Sequence, residues 1–246
     1  MLFHSSYTAL LTPFKDNQLD INAYRNLVDF QIENGTHGLV PVGTTGESPT
    51  LSHDEHKKLV EVCVEQANGR VPVIAGAGSN STSEAVDFVK HACAAGADGL
   101  LVVTPYYNKP TQSGLLAHYN ELIKNSSKPI IIYDIPGRSV IKMSDNTMAE
   151  LAKNDLIVGV KDATADLARP TRLQNLIGDD FIQLSGEDGT ALAYLAAGGH
   201  GCISVTANIA PNLLSRMHNA WKQGNISNAQ DINKKLMPLH DSLFCE

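Results

Sequence analysis

Eight short runs of apolar and β-branched residues recur along the chain: YTALLT (7–12), GLVPVG (38–43), VPVIAGAG (71–78), GLLVVTP (99–105), PIIIYDI (129–135), LIVGVKDA (156–163), FIQLSG (181–186) and GCISVTA (201–207). Between them lie segments with apolar residues three and four apart that close on Gly, such as INAYRNLVDFQIENG, DEHKKLVEVCVEQANG and EAVDFVKHACAAG. The first pattern is that of strands buried on both faces, and the second that of amphipathic helices. Ser52 with Glu55, and Ser81 with Glu84, have the S-x-x-E form of a capping box just before two of the helices. Strand and helix alternate throughout, which predicts a parallel sheet covered by helices, and a count of eight favours closure into an α/β, (β/α)8 TIM barrel. An open doubly wound sheet is the alternative. Against it, GAGSNS (76–81) lacks the third Gly of the dinucleotide fingerprint, and GTTGES (43–48) lacks the Gly-Lys-Ser/Thr ending of a P-loop. No repeat or linker interrupts the pattern, so residues 1–225 read as one barrel and 226–246 as the start of a C-terminal helical segment.

Composition narrows the partners. The chain has 246 residues, 43% of them hydrophobic and 18% charged, a formal net charge of -7 and a pI near 5.7. That balance, without a Lys/Arg cluster, gives no basic field for a phosphate backbone, so nucleic acid is not an expected partner. The N-terminus MLFHSSYTAL has neither a basic nor a long apolar region, and no stretch approaches the ~18 apolar residues of a membrane span. No membrane partner and a cytoplasmic location are expected. The four cysteines, Cys63, Cys93, Cys202 and Cys245, form no C-x-x-C pair and read as reduced packing residues. The spacing of His53 and His56 would suit a metal, but no third ligand accompanies them, so no metal is expected.

Candidate chemistry begins with Lys161, at the far end of an otherwise apolar strand and beside Asp162. Alternation puts Ile157, Gly159 and Lys161 on one face and Val158 and Val160 on the other. The two Val suit the helix-facing side, so Lys161 points into the barrel near the C-terminal ends of the strands, where barrel enzymes collect their chemistry. Tyr133 points inward from the preceding strand at the same height, and Arg138 follows in the loop PGRS. Thr44 and Thr45 in GTTGES present hydroxyls and peptide N–H groups, a small anion nest, while TPYYNKP brings Tyr106 and Tyr107 to the same rim. A neutral lysine amine can attack a ketone to give a Schiff base, whose protonated nitrogen makes an enamine available for carbon–carbon bond formation or cleavage. Tyr133 and Tyr107, connected through the Thr44 hydroxyl, could relay protons; Thr45 could hold a 2-oxo acid carboxylate, and the planar fork of Arg138 suits a second carboxylate. Each residue also has a plain reading. Lys161 could be ion-paired to Asp162 or Glu187, the tyrosines could cap the core, Arg138 could be a solvated surface charge, and Gly-Thr-Thr-Gly is a common turn composition.

Taken in order, GTTGES, TPYYNKP, YDIPGR, GVKDAT, LSGED and GGHGCISVTANIAP resemble the motifs of the 4-hydroxy-tetrahydrodipicolinate synthase (dihydrodipicolinate synthase) family, within the pyruvate-dependent class I aldolase/lyase superfamily. The resemblance covers the whole chain, and YDIPGR with the double tyrosine favours the synthase over the sialic-acid lyase branch. It implies condensation of pyruvate with L-aspartate 4-semialdehyde in lysine and diaminopimelate synthesis, with no cofactor beyond the covalent pyruvate–lysine imine. Lys161 would form that imine and Tyr133 would act as acid/base. Thr44 and a Tyr107 brought from a neighbouring subunit would complete the relay. Thr45 would bind the pyruvate carboxylate, Arg138 that of the semialdehyde, and Gly186 and Ile203 would border the pocket. A homotetramer or dimer is implied, together with a lysine effector site at Ser48, His53, His56, Asn80, Glu84 and Tyr106. Three features depart from the family. Pro49 replaces a small residue beside Ser48; Asp134 stands where Asn is usual, turned toward the helices, so that tuning rather than loss is expected; and the helical extension is truncated, ending at Glu246. The alternatives are another pyruvate-dependent Schiff-base aldolase or lyase, or a non-catalytic binding or regulatory homologue.

Overall fold

The computed structural model describes residues 3–245. Its main sheet has eight parallel strands: β1 (Ser5–Ala9), β2 (Gly38–Val40), β3 (Ile74–Gly76), β4 (Gly99–Val103), β5 (Ile130–Asp134), β6 (Ile157–Asp162), β7 (Ile182–Ser185) and β8 (Gly201–Ser204). The order is β2-β1-β8-β7-β6-β5-β4-β3. The two ends meet: Leu39 bridges Val73 in parallel, the Leu39 N–H donates to the Pro72 carbonyl at 3.0 Å, and the Gly76 N–H donates to that of Pro41 at 3.0 Å. Closure leaves no sheet edge, and the result is the TIM barrel expected from the alternation.

The surrounding layer is α1 (Ile21–Glu33), α2 (His53–Ala67), α3 (Thr82–Ala94), α4 (Gln112–Asn125), α5 (Asp145–Leu151), α6 (Arg169–Ile177), α7 (Ala191–Ala196) and α8 (Pro211–Lys222). A further helix, α9 (Ile226–Ser242), packs on α8 around Leu214, Met217, Ala229, Ile232 and Leu236. At α2 the capping box is complete, with the Ser52 side chain accepting from the Glu55 N–H and the Glu55 carboxylate accepting from the Ser52 N–H. At α3 it is half built. Ser81 accepts from the Glu84 N–H, but the Glu84 carboxylate turns instead to the Ser79 hydroxyl and the His53 ring.

Two apolar layers follow the strand alternation. Tyr7, Val40, Ile74, Leu101, Ile131, Tyr133, Leu184 and Ile203 fill the barrel, whereas Leu39, Val73, Leu100, Val102, Ile130, Ile132 and Val160 pack beneath the helices. On β6 the expected alternation holds only in part. Ile157 belongs to the outer layer and Val158 packs against the barrel interior, because the pairing of β5 with β6 slips between Ile130 and Ile131. Beyond the slip, Ile131 faces Gly159 and Tyr133 faces Lys161, so Lys161 still points inward. Gly159 is required by the neighbouring strand. A Cβ there would lie 2.2 Å from the Ile182 carbonyl oxygen, so the glycine is what lets β6 and β7 approach.

Candidate active site

Lys161 and Tyr133 sit side by side on β6 and β5, each only 5% exposed. The Lys161 Nζ lies 4.2 Å from the centroid of the Tyr133 ring, close enough for the ring face to stabilise a cation. Asp162, the neighbour that could have neutralised Lys161, is engaged elsewhere: its Oδ1 accepts from the Thr164 N–H at 2.9 Å and lies 3.6 Å from Arg169 Nη1. Glu187 stands at the rim. Partial burial raises its carboxyl above the usual carboxylate range, against the opposite pull of Lys161 and Arg138. Among the described residues no carboxylate lies within ion-pair distance of Lys161, so the paired-lysine reading loses its partners.

A cavity of about 300 Å³ opens over Tyr133. Its apolar wall includes Val42, Leu101, Val103 and Ile135, and its polar groups come from Thr44, Ser48, Tyr106 and Arg138. The loop after β2 folds back on itself. The N–H groups of Gly46 and Ser48 donate to the Gly43 carbonyl, and that of Glu47 to the Thr44 carbonyl, while those of Thr44 and Thr45 have no acceptor among the described residues. Left-handed backbone collects at this mouth, at Val42 (φ 49°), Tyr107 (φ 71°) and Val140 (φ 69°). For a β-branched or bulky residue such a conformation costs roughly 1–3 kcal/mol and persists only where the surroundings impose it.

Of the residues singled out from the sequence, Thr44, Tyr133, Arg138, Ser48 and Tyr106 share this cavity, and Lys161 lies against Tyr133. Thr45 is half-buried in the same loop, Ile203 packs with Tyr133 inside the barrel, and Gly186 donates its N–H to the Asp162 carbonyl at 2.7 Å. Tyr107 stands apart, 87% exposed. Among the described residues no hydrogen bond joins it to Tyr133 or Thr44 within the chain. His53 and Glu84 pair at 2.6 Å on the surface, and the Asn80 carbonyl accepts from the Asn108 side chain at 3.1 Å. His56 lies behind them, buried and stacked on Phe88 at 4.0 Å, with its pKa pushed down to about 4 chiefly by burial. Also among the described residues, no three His, Cys, Asp or Glu side chains are grouped to hold a metal, and no helix is long and apolar enough to cross a membrane.

Sequence reasoning missed Arg169, which is fully buried and ion-paired to Asp134 at 2.7 Å and to Asp145 at 2.9 Å. A signal was present. Asp134 and Asp162 both occupy helix-facing positions of central strands, and two buried carboxylates demand a buried cation.

Comparison with known proteins gives this geometry its context. The profile of the Dihydrodipicolinate synthetase family matches residues 2–246. The chain belongs to that family. As a member it is an enzyme, a Schiff-base-forming lyase on a TIM barrel. It is 60% identical over 244 residues to the 4-hydroxy-tetrahydrodipicolinate synthase of Bradyrhizobium diazoefficiens (strain USDA 110), a match covering 99% of this chain and 82% of that one. The crystal structure of dihydrodipicolinate synthase from Aquifex aeolicus superimposes with a TM-score of 0.97 at 43% identity, covering 99% of this chain and 84% of the other. The enzyme from Cyanidioschyzon merolae, solved with lysine bound, gives a TM-score of 0.96 at 37% identity over 100% of this chain and 84% of its own.

Proposed function

We propose that Lys161 is the nucleophile of this family member and that the cavity over Tyr133 receives its substrates. The reaction is the condensation of pyruvate with L-aspartate 4-semialdehyde to 4-hydroxy-tetrahydrodipicolinate, a step of lysine and diaminopimelate biosynthesis. One observation carries the assignment: a lysine buried inside the barrel against a tyrosine, with no carboxylate partner within reach among the described residues. The neutral Nζ adds to C2 of pyruvate, and water leaves to give the protonated imine. Loss of a proton from C3 turns the imine into an enamine, whose carbon attacks the aldehyde of the second substrate; that substrate's amino group then adds to the regenerated imine carbon, closing the ring as the Lys161 amine leaves. Tyr133, whose ring centroid lies 4.2 Å from Nζ, would hand protons to and from these intermediates. Thr44, with Tyr107 from a neighbouring subunit, extends the relay, which is how a tyrosine so far out of its own cavity finds a role. The free N–H groups of Thr44 and Thr45 suit the pyruvate carboxylate, and Arg138 at the mouth suits that of the semialdehyde. Gly186 and Ile203 would border the pocket. The imine supplies the electron sink, so the scheme needs no further cofactor, and it fits a cytoplasmic homotetramer or dimer.

Incubation with pyruvate followed by borohydride tests the nucleophile, because reduction makes the imine permanent. A pyruvate-sized adduct on the peptide containing Lys161 is expected. A folded protein that leaves Lys161 unmodified would sink the assignment. A second, effector site for lysine is favoured by the relative solved with lysine bound and by the surface pair of His53 and Glu84, whose carboxylate suits an ammonium; Ser48, Asn80 and Tyr106 would complete it. His56 supports this site from behind, through Phe88. Loss of rate as lysine is titrated to millimolar levels is the expected behaviour, and an unchanged rate would remove the effector reading.

A further inference from the structure

One residue beyond Tyr133 and Lys161, the chain places Asp134 and Asp162, and both carboxylates reach Arg169 beneath the helix layer. The guanidinium is completely enclosed and each of its nitrogens has a partner. Nη1 lies 2.7 Å from Asp134 Oδ2 and 3.6 Å from Asp162 Oδ1, Nε donates to Asp145 Oδ1 at 2.9 Å, and Nη2 donates to the Met143 carbonyl at 2.8 Å. Met143 also donates its N–H to Asp134 Oδ1 at 3.3 Å, which closes the ring of contacts. A single planar fork therefore ties the end of β5, the end of β6, the N-terminus of α5 and the segment that leads away from Arg138. Only arginine has the donors and the fixed geometry to do this.

We infer that Arg169 is a positioning residue for the proposed reaction: it fixes Tyr133 against Lys161 and holds the Arg138 segment, while its charge offsets the two carboxylates directly behind the reacting pair. The inference rests on the reading of Lys161 as the imine-forming lysine. Charge enters the argument because, apart from Arg138 at the cavity mouth, the surroundings of the pair are acidic or neutral. Lys161 lies against Tyr133, with Glu187 and Arg138 toward the mouth; Arg169 contacts Asp134, Asp145 and Asp162; Arg172, among the described residues, pairs with Asp145 and Asp166 on the outside. Without the guanidinium, Asp162 would hold the proton on the Lys161 ammonium more tightly, and the amine would become available only at higher pH.

The test uses three variants of the full chain. Arg169→Lys keeps the charge and loses the fork. The double variant Arg169→Met/Asp134→Asn removes the charged pair together, so that it does not leave Asp134 buried and alone as Arg169→Met would. In Arg169→Lys, kcat is expected to fall roughly tenfold to a hundredfold, with KM for pyruvate changed by less than about threefold, as misplacement of reacting groups predicts. The double variant is expected to lose kcat similarly while its acid limb stays in place, because one charge of each sign is removed; Arg169→Met alone should shift the acid limb of kcat/KM upward, because both carboxylates then lose their counterion. Folded Arg169→Lys and double variants with wild-type kcat, whatever their melting temperature, would overturn the inference and leave Arg169 a structural residue. Borohydride trapping on the parent protein separates the two failures. No adduct on Lys161 there would fell the imine reading itself, whereas an adduct with unaffected variants would fell only the role of Arg169.

Discussion

A lysine enclosed in a barrel must be paired, kept neutral or used, and the distribution of carboxylates decides among these for Lys161. Asp162 turns away to Arg169, Glu187 stays at the rim, and the remaining near neighbour is the face of Tyr133. Tyr133 therefore has two separable contributions, a ring that packs under Nζ and a hydroxyl that can carry a proton. Tyr133→Phe keeps the first and removes the second. Its melting temperature should change by only a few degrees while kcat falls by roughly 10²–10⁴, the usual worth of a positioned acid/base. A variant retaining kcat within threefold would reassign the proton transfers. Asp134 illustrates how one side chain answers to two neighbours. Burial pushes its carboxyl up and the Arg169 guanidinium pulls it back, which explains how an acid is tolerated at this buried position.

The elements were legible from the sequence because each strand is apolar on both faces and each helix is amphipathic, so all eight strands and the barrel closure follow from counting. The face of each strand residue was less legible. Alternation from Lys161 back to Ile157 assumes an uninterrupted ladder, and the slip between Ile130 and Ile131 reverses the parity at the start of β6. A one-residue slip of this kind exchanges the two faces, and no residue type at that point announces it. Arg169 was hidden for a similar reason: its partners lie 35 and 24 positions away, and only the fold brings them together. Two consequences can be measured. Gly159→Ala would drive a methyl group into the Ile182 carbonyl, backbone that cannot step aside, so the urea midpoint should drop by the equivalent of at least 1–3 kcal/mol as in other overpacked cores (~). An unchanged midpoint would mean that β6 and β7 separate without cost. Ser52→Ala should cost about 1 kcal/mol, and more than Ser81→Ala, because only the first cap is reciprocated by its glutamate. Equal losses would deny the capping box any share.

For the molecule as a whole, acid stability is set by histidines enclosed in neutral form. Burial lowers the pKa of His56 and His118 to about 4 and of His218 to about 3, against 6.5 for an exposed ring. The unfolded chain thus binds protons between pH 6.5 and those values while the folded chain does not, so stability is complete above about 6.5 and is lost as pH falls. Each such histidine should contribute a loss of roughly 2 kcal/mol between pH 7 and pH 5, readable from urea unfolding at the two pH values. His218→Leu should shrink that difference by one histidine's share, and an identical pH dependence would show that the ring titrates in the folded state. The proposed sharing between subunits of Tyr107, an aromatic side chain 87% exposed on left-handed backbone, can be tested by mixing variants. Isolated Lys161→Met and Tyr107→Phe proteins should each be strongly impaired. If Tyr107 serves its own chain, mixing them leaves every site lacking one group or the other. If it serves a neighbour, the Lys161 site of a Tyr107→Phe chain receives an intact tyrosine from the Lys161→Met chain. Random pairing then makes half the dimers mixed, each with one complete site of two, so that about a quarter of parental activity returns on co-refolding. Recovery to that level would establish that the active site is shared between subunits, and its absence would confine the relay to the single chain.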